Sequence, residues 1–333
     1  CPMTLASLVK AHQTAFLDEY AQHITPDIRR CMDSLLLCRT RQAGQSHWQC
    51  QYCDTFEHFP LSCGHRSCPM CQHRDTSRWL ATQQQKLLPV DYFMLTFTLP
   101  AELRPLAWHH QRQVYDAMFK VASGLVKDFA NTSPRLGAEL GMLVVLHTHT
   151  RRLDYHPHLH IVATGGGYHR SRQQWIRNKG KYLFNELALA KVWRARMLEC
   201  FTRAKFSLPK LPAKWVVDCR KVGRGLPALK YLSRYLYRGV LPDQNIIGEQ
   251  NGQVTFRYRE NTGQHLTRTL PVTQFLWLVL QHVLPRRFRR LRGYGFLHGG
   301  GGKLLRRIQL LLQVALPEAE ADSQRPGVLC PCC

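Results

Sequence analysis

The stretch Asp154-Tyr155-His156-Pro157-His158-Leu159-His160-Ile161-Val162-Ala163-Thr164-Gly165-Gly166-Gly167 decides how this chain is read. It alternates as a half-buried strand does. Side chains of period two put Leu159 and Ile161 on the core face and His158 and His160 on the opposite face. Two imidazoles one residue apart can share a divalent metal ion. His156 falls on the same face unless Pro157 bends the strand, and it joins the expected metal set. Residues 141–150 form a second strand, joined to the first by the polar turn 151–155. Its His147 and His149 reach the metal face if they sit opposite His160 and His158, and a slip of one residue turns them away. Asp154 is a remoter candidate. The competing reading is an ordinary polar sheet face. The three glycines read as a turn that lets DNA approach the backbone closely.

Downstream, residues 226–238 read as a helix stopped by Gly239 and Pro242. Tyr231 and Tyr235 are spaced i, i+4 and share one helix face. Arg234 and Arg238 carry the same spacing and flank that face, where they would stabilise a phenolate and hold phosphate. A free phenol titrates near ~10, so a nucleophilic tyrosine needs such help. Tyrosines on helices more often simply pack half buried. Paired with a metal that polarises a phosphate, they would cut DNA and keep it covalently attached.

The remaining pattern mixes helices and strands. Residues 2–37, 74–88, 101–130 and 185–206 read as helical, and 91–99 as a strand stopped by Pro100. Residues 244–270 read as a hairpin turning at Asn251-Gly252. Residues 273–312 read as helical, and 316–329 as a polar linker. The fold class expected is α+β, with helices on a mostly antiparallel sheet. Three domains are expected: 1–85 with a zinc-binding module, 86–243 as the sheet domain, and 244–333 as a hairpin followed by a basic helical region.

Charge narrows the partners. Across 333 residues, 46 Lys+Arg against 22 Asp+Glu give +24, far beyond what solubility needs. A polyanion such as nucleic acid is the partner expected. Residues 286–292 (RRFRRLR) place Arg286, Arg287, Arg289 and Arg290 around Phe288, as a basic helix surface with one anchoring ring. No apolar run approaches the ~20 residues of a membrane span, and no secretory signal opens the chain. A cytoplasmic, nucleoid-associated protein is expected. The chain opens on Cys1 and closes on Cys333, which suggests a piece of a longer protein.

Of 13 cysteines, seven fall between positions 31 and 71. Cys50-x-x-Cys53 and Cys68-Pro-Met-Cys71 are two knuckles that together suit one structural Zn2+. Cys38, His47, Cys63 and His65 are substitutes, or ligands of a second site. Cys330-x-x-Cys333 is half a knuckle whose partner pair is not evident, and no ordered metal is expected there.

Four motifs in order carry a family resemblance. They are the cysteine module through Ser62-Cys63-Gly64-His65-Arg66-Ser67-Cys68-Pro69-Met70-Cys71, then His156-Pro157-His158-Leu159-His160, then Tyr231-Leu232-Ser233-Arg234-Tyr235. The last runs from His282-Val283-Leu284-Pro285 to Arg292-Gly293-Tyr294-Gly295. The chain resembles rolling-circle transposases of the HUH endonuclease superfamily, of the bacterial insertion-sequence-ninety-one type. The resemblance implies an HUH-type antiparallel sheet with the two histidines at its centre. It implies Mg2+ or Mn2+ at the active site, and single-stranded transposon-end DNA as substrate. It implies cleavage by Tyr235 or Tyr231 through a 5′-phosphotyrosine link. A plasmid replication initiator or relaxase shares this chemistry. A zinc-dependent DNA-binding protein without catalysis is a further alternative.

Overall fold

The computed structural model describes residues 3–71, 79, 81–180, 182–225, 227, 240–260, 263–315 and 330–333. Tyr231, Arg234, Tyr235 and Arg238 lie outside the described residues, as does nearly all of the helix expected over 226–238. In chain order the elements begin with helices α1 (Leu5–Glu19) and α2 (Pro26–Leu37), then strands β1 (Gln45–Gln49), β2 (Phe56–Pro60) and β3 (Asp91–Thr98). Helices α3 (Arg104–His109) and α4 (Gln111–Thr132) lead to strands β4 (Met142–His149), β5 (Tyr155–Thr164), β6 (Gly166–His169) and β7 (Gln174–Arg177). Helix α5 (Glu186–Arg203) precedes strands β8 (Val217–Arg224), β9 (Ile246–Gln250), β10 (Gln253–Arg259) and β11 (His265–Pro271). Helix α6 (Val272–Leu280), strand β12 (Leu291–Tyr294) and helix α7 (Gly302–Leu311) follow.

These elements form two compact units. One comprises Cys1–Asp75, Arg238–Val283 and Ala315–Cys333; the other comprises Thr76–Tyr237 and Leu284–Val314. The third domain expected over 244–333 is therefore shared between the two units.

In the first unit, α1 opens with a capping box between Thr4 and Ser7. The helical run expected over 2–37 breaks after Glu19, because Thr25 caps a new helix whose first residue is Pro26. Phe16, Ile28 and Met32 are buried, and Tyr20 stacks on Trp277 of α6 at 5.2 Å. Residues 244–270 form three antiparallel strands in the order β11-β10-β9. The expected Asn251-Gly252 turn joins β9 to β10, with both residues at positive φ.

The second unit is built on a five-stranded antiparallel sheet in the order β12-β4-β5-β3-β8, with the histidine strand β5 at its centre. Leu159, Ile161 and Ala163 of β5 face a core that includes Phe119 and Leu125 of α4 and Trp193 and Met197 of α5. The opposite face is apolar at one end, where Val145 and Val162 meet Leu305 and Ile308 of α7. The histidines occupy the other end of that face.

Two expectations fail here. The basic run lies on no helix: α6 stops at Leu280, residues 286–287 form a turn, and β12 begins at Leu291. Pro285 has no N–H to continue a helix, and Arg287 sits at φ 61°. The ring of Phe288 is buried between Tyr115 and Phe119 and does not anchor a ligand. The glycines, too, are buried. A Cβ at Gly165 would meet the Asp91 carbonyl at 2.7 Å, and one at Gly167 the Glu139 carbonyl at 2.7 Å. They permit close backbone packing within the protein, not an approach by DNA. Among the described residues, no helix is long and apolar enough to cross a membrane.

Candidate active site

The β4–β5 register sets His147 opposite His158, two residues from the pairing considered from sequence. A slip of two keeps every side chain on its face, so His147 still meets the histidine strand. The side-chain nitrogens of His147, His158 and His160 lie within 4.8 Å of one another. Their rings meet edge to face, with centroids 4.7 Å apart for His147–His160 and 4.8 Å for His158–His160.

These residues fit a divalent ion. His158 donates from Nδ1 to the carbonyl of His156 at 2.7 Å, which leaves Nε2 with a free lone pair. Nδ1 of His160 is 3.1 Å from Thr96 Oγ1 on the neighbouring strand β3. The carbonyl, which can only accept, selects the His158 tautomer a metal needs, and the Thr96 hydroxyl can accept from His160 in the same tautomer. Burial, reinforced by the neighbouring imidazoles, holds His147 far below the usual histidine range and His160 down to about 3. Burial lowers His158 as well. All three are neutral at pH 7, as ligands must be.

His156, expected as a ligand, is not in this set. Pro157 intervenes, and the Nδ1 of His156 instead accepts from Arg104 at 2.8 Å. Burial first, then His158 and Arg104, push it down to about 4. The Nε of Arg104 is buried without a hydrogen-bond partner. Arg290 and Arg220 act on His147 and His160 in the same sense as Arg104 on His156. Three guanidinium groups, those of Arg104, Arg220 and Arg290, thus bear electrostatically on these histidines. Of these, sequence reasoning singled out only Arg290. Arg286, Arg287 and Arg289 are exposed. Arg292 turns inward, its guanidinium 4.0 Å above the Phe119 ring and paired with Asp116.

The buried Tyr92 and Tyr115 and the half-buried Tyr155 are poor nucleophiles. Tyr155 and Tyr115 share a 2.5 Å hydrogen bond, and burial raises both phenols. Burial also pushes Tyr92 up to about 12.

The cysteines expected to share one zinc divide between two clusters in the first unit. Cys68 and Cys71 join Cys38 and Cys63, while Cys50 and Cys53 lie with Cys330 and Cys333. Spacing identifies a knuckle but not its partner, and Cys38 at the end of α2 supplies a ligand that no pair spacing announces. In the first cluster Cys71 Sγ is 3.6 Å from both Cys38 and Cys63. Four sulfurs so placed fit one tetrahedral zinc.

A family model described as a putative transposase matches residues 141–303, the span that holds all three histidines. A second, described as a transposase zinc-binding domain, matches residues 8–99. The chain is 30% identical over 304 residues to a putative transposase, y4qJ, of Sinorhizobium fredii, covering 83% of this chain and 76% of that protein. It is 27% identical over 305 residues to the transposase for insertion sequence element IS801 of Pseudomonas savastanoi pv. phaseolicola, covering 85% and 73%. No solved structure matches it.

Proposed function

This chain belongs to the transposases of the insertion-sequence-ninety-one type, and from that premise we propose that it cuts and rejoins single-stranded DNA at the ends of a mobile element. The observation that carries this reading is the cluster of three neutral imidazoles on the adjacent strands β4 and β5 of the sheet. A divalent ion held by His147, His158 and His160 would polarise a phosphodiester and offset the charge developing on it. An all-imidazole set suits manganese better than magnesium, which prefers oxygen ligands.

The protein's own residues do the rest. Arg104, Arg220 and Arg290 draw a phosphate towards the histidine face. Tyr235, or Tyr231, supplies the nucleophile. Its phenolate oxygen bonds to phosphorus, the bond to the 3′ oxygen breaks, and that oxygen takes a proton as a free 3′-hydroxyl. The strand stays attached through a 5′-phosphotyrosine link. Strand transfer reverses the step: an incoming 3′-hydroxyl attacks phosphorus and the phenol leaves. Arg234 and Arg238 stabilise the phenolate. Two tyrosines allow a second strand to be cut while the first remains bound.

Cleavage of a labelled single-stranded transposon-end oligonucleotide with Mn2+ tests this. The wild type should cut, and His147→Ala and His160→Ala should bind the strand without cutting it. Full cutting in EDTA would refute the assignment.

A further inference from the structure

We propose that the C-terminal motif Cys330-Pro331-Cys332-Cys333 closes a second tetrathiolate zinc site with Cys50 and Cys53, separate from the site of Cys38, Cys63, Cys68 and Cys71. The sulfur geometry carries this. Cys50–Cys333 and Cys53–Cys330 are each 3.5 Å apart, and Cys53–Cys333 is 3.7 Å. A zinc with bonds of about 2.3 Å holds tetrahedral sulfurs about 3.8 Å apart. A disulfide needs about 2.05 Å, which no pair approaches.

The backbone gives an independent sign. The amide of Tyr52 donates to Cys50 Sγ at 3.4 Å, and that of Cys332 to Cys330 Sγ at 3.4 Å. The amide of His65 makes the same contact with Cys63 Sγ at 3.4 Å in the first cluster. In each case the chain folds back two residues on, so that an N–H faces a sulfur that would carry negative charge. Cys332 stands outside both four-cysteine sets and is exposed.

The hairpin at this site has little else to hold it. Cys50 and Cys53 lie between β1 and β2, where Trp48 is 46% and Phe56 57% exposed. Two strands with so little buried surface are marginal alone, and a metal supplies what the core does not. Order in the β1–β2 hairpin would then depend on residues 277 and 283 positions away in the chain.

The test is metal analysis of the full chain purified in reductant without chelator. Two zinc ions per chain are expected to be released by a thiol-specific mercurial, which counts thiolate-bound zinc and not an ion held by the imidazole cluster. Cys330→Ser/Cys333→Ser should bind one, and Cys332→Ser should still bind two. Amide exchange across residues 45–60 should rise in the double variant while α1 and α2 stay protected. One zinc in the wild type would overturn the proposal, as would two retained in the double variant, none left in it, or a zinc lost in Cys332→Ser. Thiol alkylation of the wild type gives a check that needs no variant. Cys332 should react quickly, and Cys50, Cys53, Cys330 and Cys333 only after chelation. Equal reactivity of Cys330, Cys332 and Cys333 before chelation would overturn the proposal too.

Discussion

Replacing Thr96 by Val should weaken metal binding by 10–100-fold while leaving the sheet intact. Thr96 is not itself a proposed ligand; its hydroxyl sits 3.1 Å from Nδ1 of the proposed ligand His160. With a metal on Nε2, the proton must sit on Nδ1, and Thr96 Oγ1 is the acceptor that keeps it there. Valine has the same shape and offers no acceptor. His160 is only 8% exposed, so water compensates poorly, and an unmet buried polar group costs about 1–3 kcal/mol. That cost falls mainly on the metal-binding tautomer, because the free imidazole can move its proton to Nε2. Partners of this kind typically contribute 10–100-fold in affinity, or about 1.4–2.7 kcal/mol. Titration with Mn2+, following the free ion by electron paramagnetic resonance, measures the difference. Urea unfolding of the metal-free proteins controls for lost stability. A folded Thr96→Val protein that binds Mn2+ within twofold of wild type would refute the argument.

Other consequences follow from the same geometry. His160 titrates at about 3 when folded against 6.5 in its unperturbed state, so below pH ~6.5 the unfolded chain binds a proton that the folded chain refuses. Stability is therefore full at neutral pH and falls as pH drops, by about 2 kcal/mol at pH ~5 for this group alone. His160→Gln should flatten the pH dependence of urea unfolding by that amount, and equal slopes in the two proteins would count against it. Phe288 is 3% exposed against Tyr115 and Phe119, so Phe288→Ala should destabilise by about 3–5 kcal/mol. A loss under about 1 kcal/mol in denaturant unfolding would return that ring to the surface. Removing the exposed Arg286, Arg287 and Arg289 together should reduce the salt slope of single-strand binding by about 2, at roughly 0.7 per phosphate contact. An unchanged slope would assign them to solubility.

Much of the sheet unit was legible because alternation in a strand is a strong signal. The strand read over His158 to Thr164 became the central strand, extended back to Tyr155, with Leu159 and Ile161 on the core face and His158 and His160 on the other. What alternation does not set is register. His147 was reached only when pairing placed it opposite His158, and nothing in the sequence separates that register from the one two residues away. His156 stands outside the three-histidine group, and period two cannot say where a side chain finds another partner, here Arg104. Thr96, Arg104 and Arg220 are brought to the site by tertiary packing and carry no local signature. The basic run misled because its arginines outweighed Pro285 and a phenylalanine that the core required. For the cysteines, spacing revealed each knuckle but not which knuckles meet. Cys330 and Cys333 repeat the spacing of Cys50 and Cys53, and that repetition was the available clue.

Cutting of DNA by Tyr235 or Tyr231, with a divalent ion on His147, His158 and His160, is the step on which the proposed function turns. Its most direct measurement is mass spectrometry of the covalent product formed with single-stranded transposon-end DNA and Mn2+. After nuclease and protease digestion, the account predicts a nucleotide attached through its 5′ phosphate to Tyr235 or Tyr231, absent in the Tyr231→Phe/Tyr235→Phe double variant and in His160→Ala. Cleavage that leaves no protein–DNA link, or a link on any other residue, would contradict it.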